Sequence, residues 1–162
     1  MRASHGLGSC RAALALSALA LAAPGTAAAA IATAEARPGL TYEVLELKRV
    51  GGQDIVELRF AISNRTDGDL DLTKNGLGRI EGGGYFAGGV QLVDLPNARM
   101  FYTGSSGNRC LCSVIDRPED RVLAAGERGE YWAWYGVPGG GLAKLAVFFP
   151  GVPPLLDVPL GQ

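Results

Sequence analysis

Cys110 and Cys112 have the most chemistry open to them. They lie in Arg109-Cys110-Leu111-Cys112-Ser113, at the end of a stretch from Gly89 that reads as strand, turn, strand, Gly/Ser loop and Cys-x-Cys. On a strand, residues two apart point to one side, so the two sulfurs share a face. Such a pair can close a local disulfide, bridge to another chain, stay as free thiols, or serve as a redox or Cu(I)-binding pair. The leading expectation is the local disulfide Cys110–Cys112. The redox or Cu(I) module is the alternative, weakened because thioredoxin-like chemistry uses C-x-x-C rather than C-x-C.

The next candidates are aromatic. Tyr131, Trp132, Trp134 and Tyr135 stand close together in Glu130-Tyr-Trp-Ala-Trp-Tyr-Gly-Val137. Trp132 and Trp134 share one face of a strand. Strand aromatics most often fill cores and cross-strand pairs, so the expectation is that both pack inward. The other reading is a sugar-stacking platform, which makes Trp132 and Trp134 possible binding residues.

Other motifs fall short. Asp67, Asp69 and Asp71 resemble the start of a calcium loop, but an EF-hand needs Gly at the sixth position and Glu at the twelfth; here those are Leu72 and Gly78. This reads as a solvated acidic turn. The glycine clusters at 82–84 and 139–141 lack the Gly-Lys-Ser/Thr of a phosphate loop. Asn64-Arg65-Thr66 is a glycosylation sequon that matters in a glycosylating host. No metal or cofactor is expected, and no catalytic residues are assigned.

A leader bounds the rest. Arg2 and Arg11 form a basic region, Ala12–Ala23 is an apolar run of 12 residues, and Pro24-Gly25 breaks it. This is the pattern of a cleavable signal peptide. The run is short of the about 20 residues that span a bilayer, so no membrane span is expected after its removal. Small-residue cleavage points lie after Ala28, after Ala30 and after Ala34. The last is favoured, giving a signal peptide over 1–34 and one domain over 35–162. Its loss takes away His5, the single histidine, and Cys10. Ser-His-Asp, Cys-His and His-metal chemistry go with them, and the chain is read as not an enzyme. The remaining thirteen basic residues face sixteen acidic ones, which argues against a nucleic-acid surface.

The elements that must position these groups are strands. Asp54–Asn64 alternates strictly, with Val56, Leu58, Phe60 and Ile62 on one face and Glu57 and Arg59 on the other, the mark of a half-buried antiparallel strand. Leu40–Val50 alternates with a slip between Val44 and Leu45 that suggests a β-bulge, and Gly51-Gly52-Gln53 is a hairpin turn. Further strands are expected near Leu70–Thr73, Tyr85–Leu95, Arg99–Thr103, Arg109–Ile115, Glu130–Val137 and Leu142–Phe149, with Leu155–Leu160 as a proline-limited edge. Short strands at this spacing, with no helical period between them, point to an all-β fold, an immunoglobulin-like antiparallel β-sandwich of about seven or eight strands.

Gly-Val-Gln-Leu-Val-Asp at 89–94, Arg-Cys-Leu-Cys-Ser at 109–113, Leu-Ala-Ala-Gly-Glu at 123–127 and the run from Phe149 to Leu160 go together. Over roughly Leu40–Leu160 the chain resembles the Ig-like extracellular domain of uncharacterised actinobacterial secreted proteins, often found N-terminal to OmpA-like domains. The resemblance implies a β-sandwich and a secreted or cell-envelope setting, and it implies no activity. Peptidoglycan binding is not carried over, because this sequence holds no residue of the OmpA-like site. The expectation is a non-catalytic extracytoplasmic module that contacts an envelope protein or a glycan.

Overall fold

The structure is a computed structural model, and it describes residues 29–51, 54–81, 84–139 and 141–161. The leader expected over 1–34 lies outside these residues up to residue 28. So do residues 52 and 53 of the expected hairpin turn, 82 and 83 of the first glycine cluster and 140 of the second.

The described chain is all-β, with antiparallel sheets. In order the strands are β1 (Ala32–Arg37), β2 (Leu40–Arg49), β3 (Ile55–Asn64), β4 (Leu70–Asp71), β5 (Arg79–Glu81), β6 (Gly84–Phe86) and β7 (Gln91–Asp94). They continue with β8 (Arg99–Phe101), β9 (Ser105–Ser106), β10 (Arg109–Cys110), β11 (Val122–Leu123), β12 (Arg128–Gly136), β13 (Lys144–Phe148) and β14 (Leu155–Pro159). A single 3-10 turn, Pro118–Arg121, precedes β11. Two four-stranded sheets dominate, one in the order β1-β2-β3-β12 and one in the order β14-β13-β7-β8. The edge position expected for the last strand is the one β14 takes.

Alternation in β3 sets the core. Val56, Leu58, Phe60 and Ile62 are all buried completely, as their spacing requires. The slip in β2 is a bulge: Val44 pairs with Phe60 and Glu46 pairs with Arg59, leaving Leu45 over. The extra residue lets Val44 and Leu47 both reach the core. Phe149, just past β13, joins the sheets, with its ring 5.1 Å from Tyr42 and 5.3 Å from Phe60. The inner side chains of both sheets form one cluster, which includes Leu92, Leu145, Val147 and Val158.

Two elements differ from the sequence reading. The stretch Tyr85–Leu95 divides into β6, paired with β5, and β7, in the larger sheet. The cause is at Gly89, whose N–H donates to Leu77 O over 2.9 Å. Any Cβ there would collide with Gly76 O, so backbone crosses backbone and one continuous strand is impossible. The second element is β1, which pairs Ala32, Thr33 and Ala34 with Val44, Glu43 and Tyr42. Ile31 N–H also donates to Val44 O. A boundary between Ala34 and Glu35 therefore falls inside a paired strand.

Asn64 closes one end of the fold. It is fully buried, and its Nδ2 donates to Gly68 O, Leu123 O and Ala124 O, while Oδ1 accepts from Thr66 N and Oγ1. The sequon is thus a structural clamp in the folded protein. It ties the end of β3 to the turn that leads into β12.

Phe60→Ala should cost about 3–5 kcal/mol, the usual range for a buried Phe. Trp132→Ala should cost less than about 1.5 kcal/mol, because that ring lies largely outside the core. Chemical denaturation of both variants checks the register. Equal costs would show that the inward face of β12 is wrongly identified.

Candidate functional site

The register of β12 corrects the expectation for its tryptophans. Tyr131 lies opposite Phe60, Ala133 opposite Leu58 and Tyr135 opposite Val56. These are the inward positions of β3, so 131, 133 and 135 face the core, and Trp132 and Trp134 face out, opposite Arg59 and Glu57. Trp132 does not pack in the core; it is 39% exposed. Trp134 is half-buried, and its Nε1–H donates to Glu57 Oε2 over 3.0 Å. The two indoles lie 5.9 Å apart, tilted by 59°. A signal for this was present in the sequence: Glu130 is in phase with Trp132 and Trp134, and a charged group marks the solvent side.

Tyr135 takes the core role in their place. Its hydroxyl donates to Val90 O over 3.1 Å, a bond from β12 to the residue just before β7. Burial pushes this phenol far above its ordinary value, so it remains a donor at any working pH.

The cysteine segment forms the far border of the same face. Ser113 N–H donates to Trp132 O, and Trp132 N–H donates to Ser113 Oγ, each over 2.9 Å. Trp134 N–H donates to Leu111 O over 2.8 Å, and Gly104 N–H donates to Trp134 O over 2.7 Å. Residues 103–113 thereby cover the outer edge of β12. Cys112 bridges to Ala133 and so faces the core, and Cys110 faces it too, at 1% and 8% exposure. The two are joined as a disulfide with Cα atoms 5.3 Å apart. Both sulfurs sit within the hydrophobic cluster. Exchange requires a thiolate to reach a sulfur, so this burial favours a structural bridge over the redox or Cu(I) reading.

Beside Trp132 lies an open cleft of about 430 Å³, between the Pro118–Arg121 turn, β11 and the first half of β12. Leu123 and Ile115 are buried at its floor, and Val114 and Val122 are exposed at its rim with Trp132. Its charged groups are Arg117, Glu119, Asp120, Glu127 and Glu130. Arg117 donates to both oxygens of Asp120, over 2.8 and 3.0 Å, and this bond holds the Asp120 carboxyl below its usual range. Glu127 Oε2 accepts from Ala124 N–H over 3.0 Å. Glu130 pairs with Arg128 at 2.6 Å, which raises the Arg128 value further, and Glu43 holds the same guanidinium at 3.0 Å.

Tyr131 forms one wall. Burial first, then the nearby Asp120 carboxylate, pushes its phenol up to about 12, so it offers an O–H. That hydroxyl lies over Gly129, where any side chain would collide with it. Gly129 leaves room for the Tyr131 hydroxyl where it lies.

The remaining candidate motifs are already committed to internal contacts. Asp71 Oδ1 accepts from Thr73 N and Oγ1, and the Asp71 carboxylate pairs with Lys74 at 3.1 Å. The Thr73 hydroxyl bond, then Lys74, draws this carboxyl down to about 2. Asp69 accepts from Ala125 N–H. Among the described residues, no group of three or more His, Cys, Asp or Glu side chains is arranged to hold a metal ion, and no helix is long and apolar enough to cross a membrane.

Reducing Cys110–Cys112 should lower stability by about 2 kcal/mol or less, since the bridge closes a very short loop. It should shift tryptophan emission as well, because the bridged segment bonds to the backbone of both indoles. Denaturation with and without reductant, followed by fluorescence, checks both; a loss well above that limit would make the bridge a main support of the fold.

Compared with known proteins, the chain matches no family model, no curated protein and no solved structure. The functional reading therefore stands on the tryptophan face and its cleft.

Proposed function

We propose that this chain is a non-catalytic interaction module of the secreted or cell-envelope compartment, an immunoglobulin-like β-sandwich that binds through the Trp132 and Trp134 face. The observation that carries the reading is Trp132. A large aromatic ring exposed on a sheet face, beside a cleft with two exposed valines, has the make-up of a binding hot spot. The surrounding groups suit recognition better than chemistry. The cleft's carboxylates are paired with arginines or bonded to a backbone N–H group.

The extracytoplasmic setting is supported by the leader pattern and the disulfide, which persists in oxidising compartments. On this reading the leader is removed before β1. Cleavage after Ala28 or Ala30 leaves Ala32–Arg37 intact, whereas cleavage after Ala34 would remove three paired residues from the sheet edge. N-terminal sequencing of exported protein should give a start at Ala29 or Ile31. A start at Glu35 would mean that β1 is not part of the mature sheet as described.

Cosedimentation with the source organism's envelope tests the function. Intact envelope and envelope stripped of protein separate protein ligands from glycan ligands. Retention on at least one is expected, and Trp132→Ala should weaken it about tenfold, as removal of a hot-spot ring does. Retention unchanged in a folded Trp132→Ala variant, or no retention on either material, would rule this face out as the binding surface.

A further inference from the structure

We infer that the ligand of this face is a protein segment that places a lysine or arginine side chain in the cleft beside Trp132. The inference rests on the reading of the Trp132 face as the binding surface and names the class of its partner. Charge gives the sign. Among the groups lining the cleft, Arg117 stands against Glu119, Asp120, Glu127 and Glu130, and Glu130 is itself paired with Arg128 at 2.6 Å. The Arg117 guanidinium is already neutralised by Asp120, with Glu119 at 3.7 Å. Glu127 is held by a neutral N–H donor, so its charge remains to meet a cation. An anionic partner would meet repulsion here.

Shape gives the class. The exposed side chains of Val114 and Val122 beside Trp132 suit an aliphatic stem. The exposed indole suits the charged head, since a cation over an aromatic face is attracted by its quadrupole. Lysine and arginine carry both parts on one side chain. A neutral glycan chain fits less well. The two indoles are tilted by 59°, so successive sugar rings cannot stack on both in one plane, and Trp134 Nε1 is already bonded to Glu57.

The test is a fluorescence titration of the disulfide-intact chain with decalysine, decaglutamate and a hexamer of N-acetylglucosamine, at low salt and then at high salt. Decalysine should bind saturably, with an affinity that falls as salt rises. Trp132→Ala should weaken it about tenfold, and Trp132→Phe less, because a phenyl ring keeps part of the attraction. Glu127→Gln should weaken it about threefold, the size of a surface charge contact. Asp157→Asn, the same charge change in β14 of the other sheet, should leave it as it was.

Equal weakening by Glu127→Gln and Asp157→Asn would reduce the effect to net charge and overturn the inference. Binding of the sugar hexamer in place of decalysine, abolished by Trp132→Ala, would overturn the cationic partner while keeping the face as the binding surface. Binding of decaglutamate would overturn the sign of the charge. Decalysine bound equally well by Trp132→Ala would overturn both the partner and the face.

Discussion

The pairing of β12 with β3 is the constraint on which the rest of the structure depends. Nine consecutive residue pairs, from Arg128 with Ser63 to Gly136 with Ile55, run without a bulge. Because side chains alternate strictly along a strand, a slip of one residue would exchange the faces of all nine. The completely buried run of β3 fixes which face is which. Tyr131, Ala133 and Tyr135 must follow it inward, and the two tryptophans must go out. The large exposed rings thus follow from the core rather than from any preference of their own. Small Ala133 between two tyrosines leaves room for the facing core, which two inward indoles would overfill.

An exposed strand edge beside an exposed aromatic face would invite uncontrolled pairing. Residues 103–113 remove that liability. Gly104, Leu111 and Ser113 satisfy the outer backbone groups of Trp132 and Trp134 in β12, and the cysteines on either side of Leu111 turn into the core. One short segment therefore closes the sheet edge, fills part of the core and fixes the border of the tryptophan face. Asn64 acts similarly at the other end, since its bonds to Leu123 and Ala124 set the turn from which Glu127 and Gly129 enter the cleft.

Much of this was legible in the sequence because it rests on period-2 patterning. The β3 core face, the β2 bulge, the C-terminal edge strand and the shared face of Cys110 and Cys112 all follow from spacing. Size misled where phase should have decided: the tryptophans looked like core because they are the largest apolar residues of β12, yet Glu130 shared their phase. β1 was hidden because Ala32–Ala34 reads equally well as a cleavage motif or as a small-residue edge strand. In the folded chain these residues pair with Val44, Glu43 and Tyr42. The cleft could not be read from spacing, because it joins residues 113–132 through turns whose course depends on the Asn64 clamp.

A second concavity shows why size alone does not mark a site. At the end of the other sheet, β7 and β13 part beyond the Val93–Ala146 pair, leaving a space of about 490 Å³ lined by Leu95, Pro96, Leu142 and Ala143. It is larger and more apolar than the cleft. Its charges, however, are committed: the buried Asp94 carboxylate accepts from Arg99 over 3.0 and 2.6 Å and from Asn97, and Lys144 pairs with Asp157 at 2.5 Å. The Arg99 bonds hold the Asp94 carboxyl below its ordinary value, as expected for a group whose partner is internal. These contacts shape the β7–β8 turn and the β13–β14 pair, and they leave no directed polar group for a ligand. The tryptophan cleft differs in that respect. Its Glu127 carboxylate is held by a backbone N–H rather than by a cation, and the exposed Trp132 ring lines the same cleft. On the binding reading proposed for this face, apolar contact would supply affinity and placed charge would select among partners.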